Sequence, residues 1–243
     1  MMISYIVYTI LFLNFLLEPI FNHFELLRVK KEPNRRLKYY YMSVIGLCVP
    51  IFLILLLVLI REITLSDLGL KPIHIGKDLF NIWFSYVILL VSALYMICII
   101  YHIICMKISV QYRKAYYAKV RQSNSSEAVL DILLPVTSKE KKLWGFVSLV
   151  AGVCEEILFR GFLLHFVSEL FPNLSIIIVI IIISFVFGLW HTYQGLKGMF
   201  MTFLISIFFS LFYISIGSII PVIILHVIMD LSAKDAGTAE DFL

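Results

Sequence analysis

The sequence predicts an all-α fold, a polytopic membrane helical bundle of about seven transmembrane helices with eight as the upper count. Three observations predict it. The 243-residue chain is 61% hydrophobic and only 15% charged, whereas a soluble domain carries about 25% charge. Its mean hydropathy is +0.98. Apolar stretches near 3–27, 39–60, 79–106, 143–169, 174–192, 196–215 and 217–233 match, or nearly match, a roughly 30 Å hydrocarbon core.

The first stretch is no cleavable signal peptide: it lacks a basic start, its first cation is Arg28, and its apolar run is too long. Asn14 and Glu18 lie four apart within it and Pro19 kinks it, a pattern expected to make interhelical hydrogen bonds. Arg28, Lys30, Lys31, Arg35, Arg36 and Lys38 follow the first span. After the second come only Arg61, Lys71 and Lys77, and after the third a run from Lys107 and Arg113 to Lys141 and Lys142. The positive-inside rule makes the two basic loops cytoplasmic, the N-terminus external and the C-terminus cytoplasmic. Juxtamembrane cations serve topology and anionic lipid, so no nucleic-acid partner is expected.

The polar segment 107–142 is expected to hold an interfacial amphipathic helix, a loop around Gln122-Ser123-Asn124-Ser125-Ser126, and a break at Pro135. It divides one overall domain into a three-span region at 1–106, this cytoplasmic segment, and a four-span core at 143–233, with a disordered polar tail at 234–243. The last span is short and contains Pro221, which marks a packed helix rather than a lipid-facing one. Cys48, Cys98, Cys105 and Cys154 lie in apolar spans without CxxC spacing, so neither a disulfide framework nor a thiolate metal site is expected.

Chemistry concentrates in the core. Glu155, Glu156 and Arg160 sit in the fourth span, about 12 residues or on the order of 18 Å deep, where each ionisable group costs roughly 2.5–3.5 kcal/mol. Glu156 and Arg160 share a helix face at i, i+4 with the acid N-terminal, the favourable order for an ion pair. Glu155 points about 100° away, so the two acids are not expected to share a partner. Glu156 becomes the structural counter-ion and Glu155 is left for chemistry. His191 closes the fifth span, and His226 and Asp230 are i, i+4 on the seventh. The alternating span directions put these groups in the cytoplasmic half of the bilayer, in one pocket. His23, His74, His102 and His165 lie near span ends and are read as structural.

Glu155-Glu156-Ile157-Leu158-Phe159-Arg160-Gly161, Phe187-Gly188-Leu189-Trp190-His191 and His226-Val227-Ile228-Met229-Asp230 resemble the EExxxR, FxxxH and HxxxN/D motifs of the CPBP intramembrane proteases. That family groups type II CAAX prenyl endopeptidases with bacteriocin-processing and bacteriocin-immunity proteins, the Abi group. Aspartate at 230 is one of its two options, asparagine being usual in the prenyl-endopeptidase branch. The resemblance implies peptide-bond hydrolysis at the membrane. Glu155 with His191 would activate water, and His226 with Asp230 would stabilise the oxyanion or hold a metal. Zinc on His191, His226 and Glu155 is one option it leaves open, and a metal-free glutamate mechanism is the other. The implied partners are a peptide or membrane-protein substrate, the lipid bilayer, or a partner membrane protein. The Ile- and Lys-rich composition is that of a low-GC bacterium, which favours a secreted or leader peptide over a prenylated protein. Two other classes compete: a non-proteolytic immunity or scaffold protein of the same fold, and a proton-coupled transporter. No inverted repeat supports the transporter.

Overall fold

The computed structural model describes residues 2–76, 81–123 and 132–235. Lys77, the 124–126 part of the polar loop and the tail from 236 onward lie outside the described residues. The helices are α1 (Met2–Lys31), α2 (Arg36–Leu59), α3 (Ile82–Ile108), α4 (Val110–Ser123), α5 (Ser138–Glu156), a π-helical segment (Ile157–Leu163), α6 (Leu164–Leu170), α7 (Ile176–Trp190), α8 (Gly195–Ile216) and α9 (Ile220–Ser232). The described residues contain no strand. The fold is the all-α membrane bundle that the composition requires.

Helices α1, α2, α3 and α8 are each long and apolar enough to cross a membrane. The fourth stretch is continuous from α5 through α6, but it is not a uniform α-helix, because the seven residues Ile157–Leu163 are π-helical. By contrast α7 has 15 residues and α9 has 13. At 1.5 Å per residue these rise roughly 22 and 20 Å, short of a hydrocarbon core. Side chains such as Phe52 on α2 and Trp83 and Ile97 on α3 are exposed, which is the natural state of a face that meets lipid.

The start of α5 is fixed by local chemistry. The Thr137 hydroxyl accepts from the Glu140 N–H, and the Glu140 carboxylate accepts from the Thr137 N–H, forming a capping box. Arg36 at the start of α2 donates to the same carboxylate at 3.0 Å and to the Ile132 carbonyl at 2.8 Å. Lys141 reaches Asp235, beyond α9, at 3.2 Å. These ties gather the flanks of both basic loops at one end of the bundle. From that end α5 runs parallel to α2 (Tyr40 on Trp144) and antiparallel to α9, where the Trp144 indole donates to the Asp230 carbonyl at 3.1 Å and Gly152 packs on Val227. A Cβ at Gly152 would stand 2.5 Å from Val227 Cγ2 and 3.1 Å from Val227 N, so glycine sets this helix separation.

At the opposite end the α2–α3 connection folds back over the bundle. Gly69 has φ 74° and accepts from Ile219 N–H at 3.0 Å, and His74 and Gly76 donate to the Ile216 and Ser215 carbonyls. A side chain at Gly69 would strike the Tyr213 ring 2.6 Å away, so both conformation and space require glycine. In the same connection Asp67 accepts from the Thr64 hydroxyl and backbone N–H, each at 2.8 Å.

In α1, Pro19 has no N–H, so the Phe15 carbonyl loses its helical partner. The Trp190 indole N–H supplies the replacement at 3.1 Å. Glu18 accepts from Asn22 on its own helix at 3.4 Å, and Asn14 Oδ1 has no partner among the described residues. Among the described residues Asn14 and Glu18 therefore make none of the expected interhelical bonds; the interhelical bond beside Pro19 uses the backbone carbonyl that the proline frees.

Candidate active site

Arg160 and Glu156 are fully buried and form the i, i+4 ion pair at 2.9 Å. The guanidinium also donates to the Ser206 hydroxyl and carbonyl of α8 at 2.8 and 3.2 Å. It lies over the Phe187 ring at 4.7 Å and the Phe209 ring at 5.5 Å. Phe187 in turn contacts the His191 ring, and Phe209 the His226 ring, at centroid distances of 4.5 and 5.5 Å. One buried cation thus clamps the aromatic walls that hold both histidines.

His191 is positioned by the end of its helix. Its backbone N–H turns to Gly188, a tightened last turn, so the Phe187 carbonyl loses its usual donor four residues on. His191 Nδ1 lies 2.8 Å from that carbonyl. A carbonyl can only accept, so Nδ1 carries the proton and the Nε2 lone pair faces outward. His226 Nδ1 lies 2.7 Å from Glu156 Oε1, and the same logic directs its Nε2 toward the cavity.

Those two Nε2 atoms meet Glu155. Each is 3.9 Å from Glu155 Oε2, which has no hydrogen-bond partner among the described residues. His226 Nε2 is also 3.7 Å from Asp230 Oδ2. The four residues singled out on three spans are therefore brought together. One expectation is corrected. Glu155 and Glu156 do share a partner, because the two nitrogens of a single imidazole, His226, reach one glutamate each. Ser206, Phe209 and Trp190 were missed, and only the small polar residue in an apolar helix gave any signal of Ser206.

The group opens on a cavity of about 340 Å³ lined also by Glu18, Tyr40, Trp144 and Tyr193. A separation of 3.9 Å exceeds the roughly 3.3 Å between ligands of a tetrahedral zinc with bonds of about 2.0–2.1 Å. It suits one water bonded to both groups. No cluster of three or more His, Cys, Asp or Glu side chains among the described residues is spaced to hold a metal ion. The side chains as placed do not fit zinc.

The fold and the site define a class: a helical membrane protein with a buried carboxylate–histidine centre on the wall of a cavity of about 340 Å³. The family follows from comparison. Residues 138–232, which form α5 through α9, match the model of the type II CAAX prenyl endopeptidase Rce1-like family, in agreement with the resemblance of the three motifs. No curated protein and no solved structure matches the chain.

Proposed function

We propose that the protein is an intramembrane endopeptidase that hydrolyses a peptide bond in a membrane-associated or leader-type peptide. The observation that carries this reading is the convergence of Glu155 Oε2 with two histidine Nε2 atoms at 3.9 Å each, in a domain of a peptidase family. In this mechanism a water donates one hydrogen to Glu155 and the other to His191 Nε2. Glu155 removes the first proton as the oxygen attacks the scissile carbonyl, so the C–O bond forms and the carbonyl becomes an oxyanion. His226 has committed Nδ1–H to Glu156. It can therefore donate Nε2–H to that oxyanion only as the imidazolium, with Glu156 as counter-ion. Asp230 can add a second donor only when protonated, unlike an asparagine. Collapse of the intermediate breaks the C–N bond, and the Glu155 proton passes to the departing amine. The end of the bundle that gathers the basic loops is cytoplasmic in this reading, with the N-terminus outside.

The test is incubation of purified protein in detergent with prenylated and leader-type peptides, wild type beside Glu155→Ala. Cleavage by the first and not the second is the expected result. Tight peptide binding with no cleavage by either would favour an immunity or scaffold role. The spacing of the donors favours a metal-free course, so exhaustive chelation is expected to leave turnover unchanged. Loss of activity restored by added zinc, together with zinc in elemental analysis that disappears in His191→Ala, would overturn that part.

A further inference from the structure

The cavity wall includes Glu18 and Asn22 from α1, a helix outside the family match at 138–232. Glu18 lies just past the midpoint of α1, and its carboxylate packs against Gly46 of α2, where a Cβ would fall 2.6 Å from Oε1. Its one hydrogen bond is the 3.4 Å contact from Asn22, and it has no cationic partner among the described residues. Among the described residues the other acids of the cavity are Glu155 and Asp230, and no lysine or arginine lines it. Arg160 is fully buried behind the wall on Glu156 and Ser206. The same cavity presents two imidazoles that are 9% and 4% exposed, whose Nε2 atoms have no hydrogen-bond partner among the described residues. It is therefore a ligand chamber on evidence independent of its acids.

A carboxylate in an apolar wall is costly unless something of opposite charge or a hydrogen-bond donor meets it. Its own helix provides one long amide contact. Water can serve the empty chamber, but an extended peptide entering it would displace that water and bring its side chains against α1. A lysine or arginine at the right position would supply the missing cation at a site of low dielectric, where discrimination is large. An acidic side chain there would meet three carboxylates.

We propose that Glu18, supported by Asn22, forms a specificity subsite that accepts a cationic side chain of the peptide substrate near the scissile bond. This rests on the endopeptidase reading, but it is separable from it, because a subsite binds whether or not the bond is cut. Helix α1 would then choose the substrate while α5, α7 and α9 cut it.

The experiment uses the full-length protein in detergent and a set of alanine–leucine peptides. Each carries one lysine at a successive position and is matched to a norleucine peptide of equal length. Affinity is read by fluorescence anisotropy on Glu155→Gln, and kcat/KM on wild type. At one position the lysine peptide should be favoured by about tenfold in both readouts. Glu18→Gln should bring that ratio close to one, and Glu18→Lys should invert it in favour of the norleucine peptide, with unchanged melting temperature confirming the fold. Lysine-selective binding without cleavage of any peptide would keep the subsite and overturn the endopeptidase reading. Cleavage with no lysine preference at any position, or a preference that survives Glu18→Gln, would overturn the subsite.

Discussion

At the scale of the residue, two adjacent glutamates have different fates because their neighbours differ. Glu156 is enclosed by Arg160 and His226, while Glu155 Oε2 faces the cavity without a partner. Glu155→Gln should therefore abolish peptide turnover and leave folded yield and melting temperature near wild type. Glu156→Ala leaves Arg160 buried and unpaired, which typically costs about 3–5 kcal/mol. It should lower detergent-stable yield as well as activity, as should Arg160→Ala. The double variant should recover yield but not turnover, since His226 loses its Glu156 anchor. Activity retained in Glu155→Gln and lost in a well-folded Glu156→Gln would exchange the two roles. A second carboxylate gives a pH prediction outside the membrane. Hydrogen bonds from the Thr64 hydroxyl and N–H hold Asp67 below its ordinary value of 3.8. A lowered folded value means the stabilisation is present above that range and is lost as pH falls through it. The melting-temperature gap between wild type and Asp67→Asn should be constant near neutrality and close below about pH 4; a gap independent of pH would refute it.

At the scale of the element, helix ends and close approaches set the site more than helix faces do. The short α7 stops inside the bundle, and its last free carbonyl orients His191. Gly152 lets α9 approach α5 closely enough for His226 to reach both glutamates. Gly152→Val should push the helices apart and reduce kcat by more than tenfold, with a smaller effect on peptide affinity; unaltered kcat would show that this contact does not position the site. The sequence made the ion pair and the convergence of three motifs legible, because spacing and depth alone decide them. It did not reveal the π-helical segment, since Ile157–Leu163 carries no proline or glycine pair to announce one and packing decides it. Nor did it reveal that Trp190 caps the carbonyl freed by Pro19, because that bond joins residues 175 apart. The Glu155–Glu156 relation was misread for a related reason: helix geometry gives the angle between two side chains but not the reach of a bidentate third.

At the scale of the whole molecule, the helical stretches and the shortness of α9 were legible from hydropathy and Pro221, while the shortness of α7 was not. Apolar runs such as Ile176–Trp190 look like spans until their capping residues, Ser175 and His191, are seen to bound 15 residues. The Arg36–Glu140 and Lys141–Asp235 pairs place the flanks of both basic loops at one end. A reporter fused after Lys38 and one fused within the loop at Lys119 should therefore give the same compartment, the cytoplasm, and one at Gly69 the opposite. Opposite signals from the first two would contradict the fold itself, whereas a common external signal would only turn the molecule over.

The π-helical segment has a consequence for anyone comparing this chain with distant relatives. A π-turn takes about one residue more than an α-turn over the same stretch, so it behaves as an insertion absorbed without a loop. Side chains beyond Leu163 are out of phase by about 100° with a wheel drawn from α5. Correspondences counted from the glutamates hold through Arg160 of the matched motif and slip by one position beyond Leu163 in a homologue that lacks the π-turn. A homologue with a plain α-helix here should show a single-residue gap inside an otherwise unbroken span, a length difference that membrane-helix alignments normally penalise and would move to the nearest turn.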